Sequence, residues 1–158
     1  MQERYRRVLK ELLDVLLEAF GEKLFSLVVF GSVARSEADE QSDIDILIVA
    51  DGLPRGRLAR QDIFLQLEER LDERVGSEHP YLSPILKTPE EARELAPIYL
   101  DMVEDAVILY DRDRFFRQVL DRLRKRLMEL GAERRRIGRM RYWVLKRDYR
   151  FGEVIKIG

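Results

Sequence analysis

Between Leu27 and Ala50 the chain reads LVVFGSVARSEADEQSDIDILIVA, two apolar runs separated by a polar segment. The first, Leu27-Val28-Val29-Phe30, stops at Gly31-Ser32. The second, Ile46 to Val49, is opened by Ser42-Asp43-Ile44-Asp45. Short runs this apolar predict strands buried on both faces. Asp43 and Asp45 are two apart, so on a strand their carboxylates project from the same face. Carboxylates at the start of a buried strand are unfavourable unless a cation neutralises them. A divalent ion suits the pair, because Mg²⁺ is held by one or two carboxylates with substrate phosphates and water completing its shell. The alternative is a strand-end pair facing solvent.

The Gly31-Ser32 step predicts a strand-to-helix turn into a short helix around Val33 to Glu37. Glycine there lets backbone N–H groups approach an anion closely, and a helix start favours negative charge. Ser32 can donate its hydroxyl to a phosphate oxygen, and Arg35 can reach phosphate or stabilise the fold. Gly-Ser alone reads equally as a helix entry with Ser32 as N-cap. The Ser-Asp-x-Asp that follows ten residues later favours the phosphate site.

Gly31-Ser32, Ala34-Arg35 and Ser42-Asp43-Ile44-Asp45 together resemble the GS-x-A-R-G-x(n)-SD-x-D signature of the DNA polymerase β-type nucleotidyltransferases, and most of all their minimal archaeal and bacterial members. The resemblance implies an α+β fold: a small mixed β-sheet with helices packed mainly on one face. It also implies transfer of a nucleoside monophosphate, AMP above all, from an NTP to a protein or RNA acceptor. By this resemblance Asp43 and Asp45 are catalytic and hold Mg²⁺ or Mn²⁺. Gly31, Ser32, Arg35 and Ser42 bind ATP or another NTP. Such proteins often act as antitoxins that adenylylate a helical HEPN-type toxin, which implies a protein partner of that class. Two positions depart from the pattern. Ser36 stands where the family has glycine, so a positive φ there would be adopted by serine at some expense. Tyr81 stands where many relatives place a third metal-binding aspartate, three residues before Pro84. Glu78 is the one nearby substitute for that ligand. A module that holds nucleotide, RNA or a partner without catalysis is the alternative function.

With 158 residues the chain is one domain, or one domain with an appendage. It has no cysteine and a single histidine, His79, which excludes disulfides, thiol catalysis and multi-histidine metal sites. No apolar run reaches the ~20 residues of a membrane helix, so a cytoplasmic protein is expected. Charged residues make up 37% and asparagine is absent, which suits a heat-adapted source. The net charge of −1 hides a division: residues 1–111 hold 13 Lys+Arg against 24 Asp+Glu, and residues 112–158 hold 16 against 6. These two parts are expected to be a nucleotidyltransferase core (1–111) and a basic helical extension (112–158) packed on it. Either the two attract each other, or the basic part serves a polyanion.

In order, periodicity predicts a helix over 2–20, strands over 24–30 and 43–50, and a helix over 55–75 ended by Gly76. A strand over 78–86 follows, placed at a sheet edge by its two prolines, with His79, Tyr81 and Ser83 on one face. Thr88-Pro89-Glu90-Glu91 starts a helix and Pro97 another; a strand over 106–110, a helix over 114–130 and a final strand at Val154–Ile157 complete the chain. In the tail, Arg134-Arg135-Arg136, Arg139, Arg141, Lys146, Arg147 and Arg150 interleave with Tyr142, Trp143 and Tyr149. That mixture suits single-stranded RNA, or else Trp143 and Tyr149 dock the tail onto the body.

Overall fold

The computed structural model of the chain describes residues 1–138, 140–146, 150 and 152–158. Helix α1 (Glu3–Phe20) buries Tyr5, Leu9, Leu12 and Leu16 on one stripe, as its spacing predicts. Strand β1 (Leu24–Phe30) runs into a single helical turn, α2 (Gly31–Ala34), and a polar connector leads to β2 (Ile44–Ala50). Helix α3 (Arg57–Val75), strand β3 (Leu82–Lys87), helix α4 (Pro89–Arg93), a 3₁₀ turn (Pro97–Asp101) and strand β4 (Val107–Asp111) follow. Thr88 and Glu91 form a reciprocal capping box at the start of α4. Helix α5 (Phe115–Leu130) then leads to β5 (Glu133–Ile137) and β6 (Met140–Val144).

The four-stranded sheet has the order β3-β2-β1-β4. β1 is antiparallel to both of its neighbours, whereas β2 and β3 are parallel, so the sheet is mixed. All of β1 except Phe25, and all of β2 except Asp45, is buried. Alternation sorts these residues between two cores. Leu27, Val29, Ile46 and Ile48 meet α1 and α3, with Phe64, Leu67 and Leu71. Val28, Phe30, Leu47 and Val49 meet Phe116, Leu120 and Leu123 of α5, and Tyr99 of the 3₁₀ turn. The two longest helices share one face, as expected, and α5 encloses the other. By the same parity Asp45 opens on the α5 side. Among the described residues no helix is long and apolar enough to cross a membrane.

Three expectations change. β3 takes the edge position, but it begins at Leu82 rather than Glu78. His79 folds back onto α3, with Nε2 2.7 Å from Asp72 Oδ1 and Nδ1 2.8 Å from the Pro80 carbonyl. His79 therefore lies outside β3, while Tyr81 meets the sheet through its carbonyl, which accepts the Ile44 N–H at 2.8 Å. The basic extension is helical only to Leu130, where Gly131 adopts φ +69°; beyond it β5 and β6 form an antiparallel hairpin. Lastly, no strand forms at Val154–Ile157. Instead the Lys156 carbonyl accepts a hydrogen bond from Arg126, and Ile157 packs against the α5 core. Arg139, Arg147 and Tyr149 lie outside the described residues.

One carboxylate ties the sheet to α5. Ser26, buried within β1, donates its hydroxyl to Asp111 Oδ1 at 2.7 Å. The same carboxylate accepts the backbone N–H groups of Phe116 (2.8 Å) and Arg117 (2.9 Å), capping α5 from the end of β4. The residue before the helix, Arg114, offers no side-chain cap and sits at φ +59°. Asp111→Ala removes the cap and leaves the Ser26 hydroxyl buried without its partner. We expect a loss of about 2–3 kcal/mol in urea unfolding, and a smaller one for Asp111→Asn. A loss within experimental error would show that α5 is held by packing alone.

Candidate active site

A cleft of about 510 Å³ opens where β1 ends and β2 and β3 begin, lined in part by Gly31, Ser32, Arg35, Asp45, Ser83 and Asp101. Its shape starts with one contact. Phe30 pairs with Asp45 across the two central strands, which sets Gly31 beside the Asp45 side chain. Gly31 has φ +72°, and a Cβ on it would collide with Asp45 Oδ2. Only glycine satisfies both conditions. The chain then turns tightly, Arg35 N–H donating to the Gly31 carbonyl at 3.1 Å and Glu37 N–H to the Ser32 carbonyl at 2.9 Å. Ser36 takes φ +59°, the conformation that a glycine would adopt freely.

Asp45 is half-buried, and its pKa is raised, first by burial and then by the charges of Asp43 and Asp101; Arg35 opposes the shift. Asp43 lies exposed just before β2, so its charge reaches Asp45 although its side chain does not line the cleft. Ser42 turns toward the connector: its hydroxyl accepts the Asp39 N–H at 3.0 Å and lies 3.2 Å from Asp39 Oδ1. Glu78 is exposed and outside the cleft lining. On β3 the residue opposite Asp45 is Ser83, while Tyr81 is 71% exposed. Among the described residues, no three Asp, Glu, His or Cys side chains are grouped closely enough to hold a metal ion. The half-buried Asp45 carboxylate, whose ionisation burial opposes, is a donor of the type that suits a divalent ion whose shell phosphates and water complete.

Four polar residues of the cleft were not assigned to it by the sequence: Ser83 comes from β3, Asp101 from the 3₁₀ turn, and Arg134 and Arg141 from the hairpin. A signal for the hairpin exists in the sequence: Gly138 follows Ile137, which pairs with Met140, and Tyr142-Trp143-Val144 favours a strand. Nothing local announces that its arginines return to a turn a hundred residues earlier.

Because the pKa of Asp45 is higher in the folded than in the unfolded chain, its ionisation opposes folding. The penalty is absent below the ordinary aspartate range of ~3.9, grows as pH rises from there, and is complete once pH has passed the raised value. In the absence of divalent ions, Asp45→Asn should therefore unfold at a higher temperature than the parent near neutral pH. The difference should fade in acid. Equal midpoints throughout the pH range would remove the claim that this carboxylate is held against its own stability.

The family model described as nucleotidyltransferase domain matches residues 9–146. A relative from Methanocaldococcus jannaschii, named "Putative protein adenylyltransferase MJ1305", is 31% identical over 125 residues, covering 78% of this chain and 83% of the relative. Among solved structures, a toxin–antitoxin with AMP-PNP aligns at a TM-score of 0.48 and 17% identity, over 77% of this chain and 91% of that chain. A tri-AMPylated Shewanella oneidensis HEPN toxin in complex with MNT antitoxin aligns at a TM-score of 0.46 and 16% identity, over 80% and 92%. The match of the family model runs from α1 through the glycine turn and the cleft to the hairpin, and the chain belongs to the nucleotidyltransferase family.

Proposed function

We propose that this nucleotidyltransferase moves AMP from ATP to a hydroxyl of a protein and releases pyrophosphate. The observation that carries the proposal is the meeting of the Gly31-Ser32 turn with Asp45 in one cleft that also holds Arg35. The M. jannaschii relative, named for protein adenylyl transfer and aligned over most of both chains, supports AMP and a protein acceptor. In the reaction the acceptor hydroxyl oxygen forms a bond to the α-phosphorus and its proton is released to water. The bond from that phosphorus to the bridging oxygen breaks, and its electron pair leaves on pyrophosphate. Asp43 and Asp45 would hold Mg²⁺ or Mn²⁺, which supplies neutralisation of phosphate charge. The turn at Gly31 and the Ser32 hydroxyl hold phosphate oxygens, and Arg35 adds positive charge already in place beside them. Reactions of this kind depend on positioning and on charge set in place beforehand, so few reactive side chains are needed.

The signature shared with minimal nucleotidyltransferases points to a HEPN-type toxin as the acceptor, with this chain as its antitoxin. RNA as acceptor has less support, since Arg134 and Arg141 face the cleft, not an outer surface. A second reading, nucleotide held with little or no transfer, is favoured by Ser83 standing opposite Asp45 where a third carboxylate would serve.

Incubation with ATP labelled at the α-phosphate, Mg²⁺ or Mn²⁺, and either extract proteins or RNA separates these readings. We expect label on protein, reduced at least about a hundredfold by Asp43→Ala or Asp45→Ala and abolished by chelation. ATP binding without transfer to any acceptor would leave the second reading.

A further inference from the structure

The hairpin is built so that one of its faces carries charge into the cleft. Cross-strand partners share a face, and here the pairs are Arg134 with Trp143 and Arg136 with Arg141. Trp143 turns that face toward the body: its Nε1–H donates to the Leu100 carbonyl at 3.0 Å, and its ring packs against the α5 core. Arg134 and Arg141 are thereby brought to the cleft, their side chains 15% and 25% exposed. Arg134 is held by Glu104 and by the buried Oδ2 of Asp105, each at 2.7 Å. That oxygen has no aligned hydrogen bond, so its contact with Arg134 is ionic. Arg141 lies 3.5 Å from the same oxygen.

The remaining contact of Arg141 is of a different kind. Its second nitrogen meets Glu37 Oε1 at 2.5 Å, while the other oxygen of Glu37 lies 3.3 Å from Arg35 Nε. A single carboxylate, five residues after Ser32, thus sits between two guanidiniums that line the cleft. Glu37 is 39% exposed, and ion pairs this open to water are weak. Guanidinium forks fit phosphate as they fit carboxylate, and a terminal phosphate carries more charge than a carboxylate.

We infer that Arg134 and Arg141 grip the β- and γ-phosphates of the bound nucleoside triphosphate, and that Glu37 holds Arg35 and Arg141 in the phosphates' place until nucleotide arrives. This rests on the cleft being the nucleotide site. On binding, Arg141 and Arg35 exchange a weak carboxylate partner for phosphate. Arg134 keeps its acidic partners and offers its remaining donors. The C-terminal hairpin is then part of the nucleotide site rather than an arm for nucleic acid.

Calorimetric titration of the full chain with ATP, inorganic tripolyphosphate and AMP tests this, with Trp143, the sole tryptophan, reporting by its emission whether the hairpin stays docked. Arg141→Ala should weaken ATP and tripolyphosphate about tenfold and leave AMP within about twofold. Glu37→Gln should tighten both polyphosphates by about threefold or more, because it frees two guanidiniums and removes a negative charge. A purely structural pair predicts the opposite sign, weaker binding once the hairpin loses its tie. Unchanged polyphosphate affinity in Arg141→Ala with unchanged emission overturns the grip. Weaker binding by Glu37→Gln overturns the exchange. Where Arg141→Ala shifts the emission, Glu37→Gln decides by its sign. A parent protein that binds neither ATP nor tripolyphosphate overturns the nucleotide reading of the cleft itself.

Discussion

The close approach of the Asp45 carboxylate to Gly31, which leaves no room for a Cβ there, is the constraint on which the rest of the structure turns. It exists because β1 and β2 pair in a register that sets Phe30 opposite Asp45. A slip of one residue would move Asp45 from the cleft into the core under α1 and α3, where a carboxylate has no partner. Both strands are buried on their two faces, so what opposes that slip is Asp45 itself, which would leave the cleft for an apolar core. The hydrophobic cores therefore do more than stabilise the sheet: they determine which of its faces carries the charge.

The division of charge along the chain acquires its meaning in the same place. The acidic body and the basic C-terminal part meet through particular pairs, Arg134 with Glu104 and Asp105, and Arg141 with Asp105 and Glu37. The two alternatives left open by composition converge. The tail is drawn to the body by its charge, and the polyanion to which its arginines are suited is one that enters the body's own cleft. α5 makes this possible by closing the second face of the sheet, with Asp111 joining its first turn to Ser26 inside β1.

Part of the local stress in the chain lies at this end of the sheet. Asp45 is held with a raised pKa, and Ser36 and Gly31 both adopt positive φ. Such features survive when surrounding structure over-determines them, and here the buried strands on either side do so. The stress has a use: a carboxylate kept from its preferred environment is one that a cation relieves.

Much of this was legible in the residues. The buried central strands, the helix periods of α1 and α5, the glycine turn and the edge position imposed by Pro84 all follow from local pattern. Gly31, Ser32, Arg35 and Asp45 do meet at one cleft, because a strand, a turn and a returning strand are neighbours in sequence. Ser42 and Glu78 lie outside the cleft lining: the Ser42 hydroxyl turns to Asp39, and His79 draws the entry to β3 back toward α3. Taken by itself, the sequence determined the sheet centre, the turn and the paired aspartates, since each depends on spacing of a few residues. Only the tertiary structure decided which residues complete the cleft. Ser83, Asp101, Arg134 and Arg141 arrive from distant segments, and packing across the sheet, which no local spacing encodes, brings them to Gly31 and Asp45.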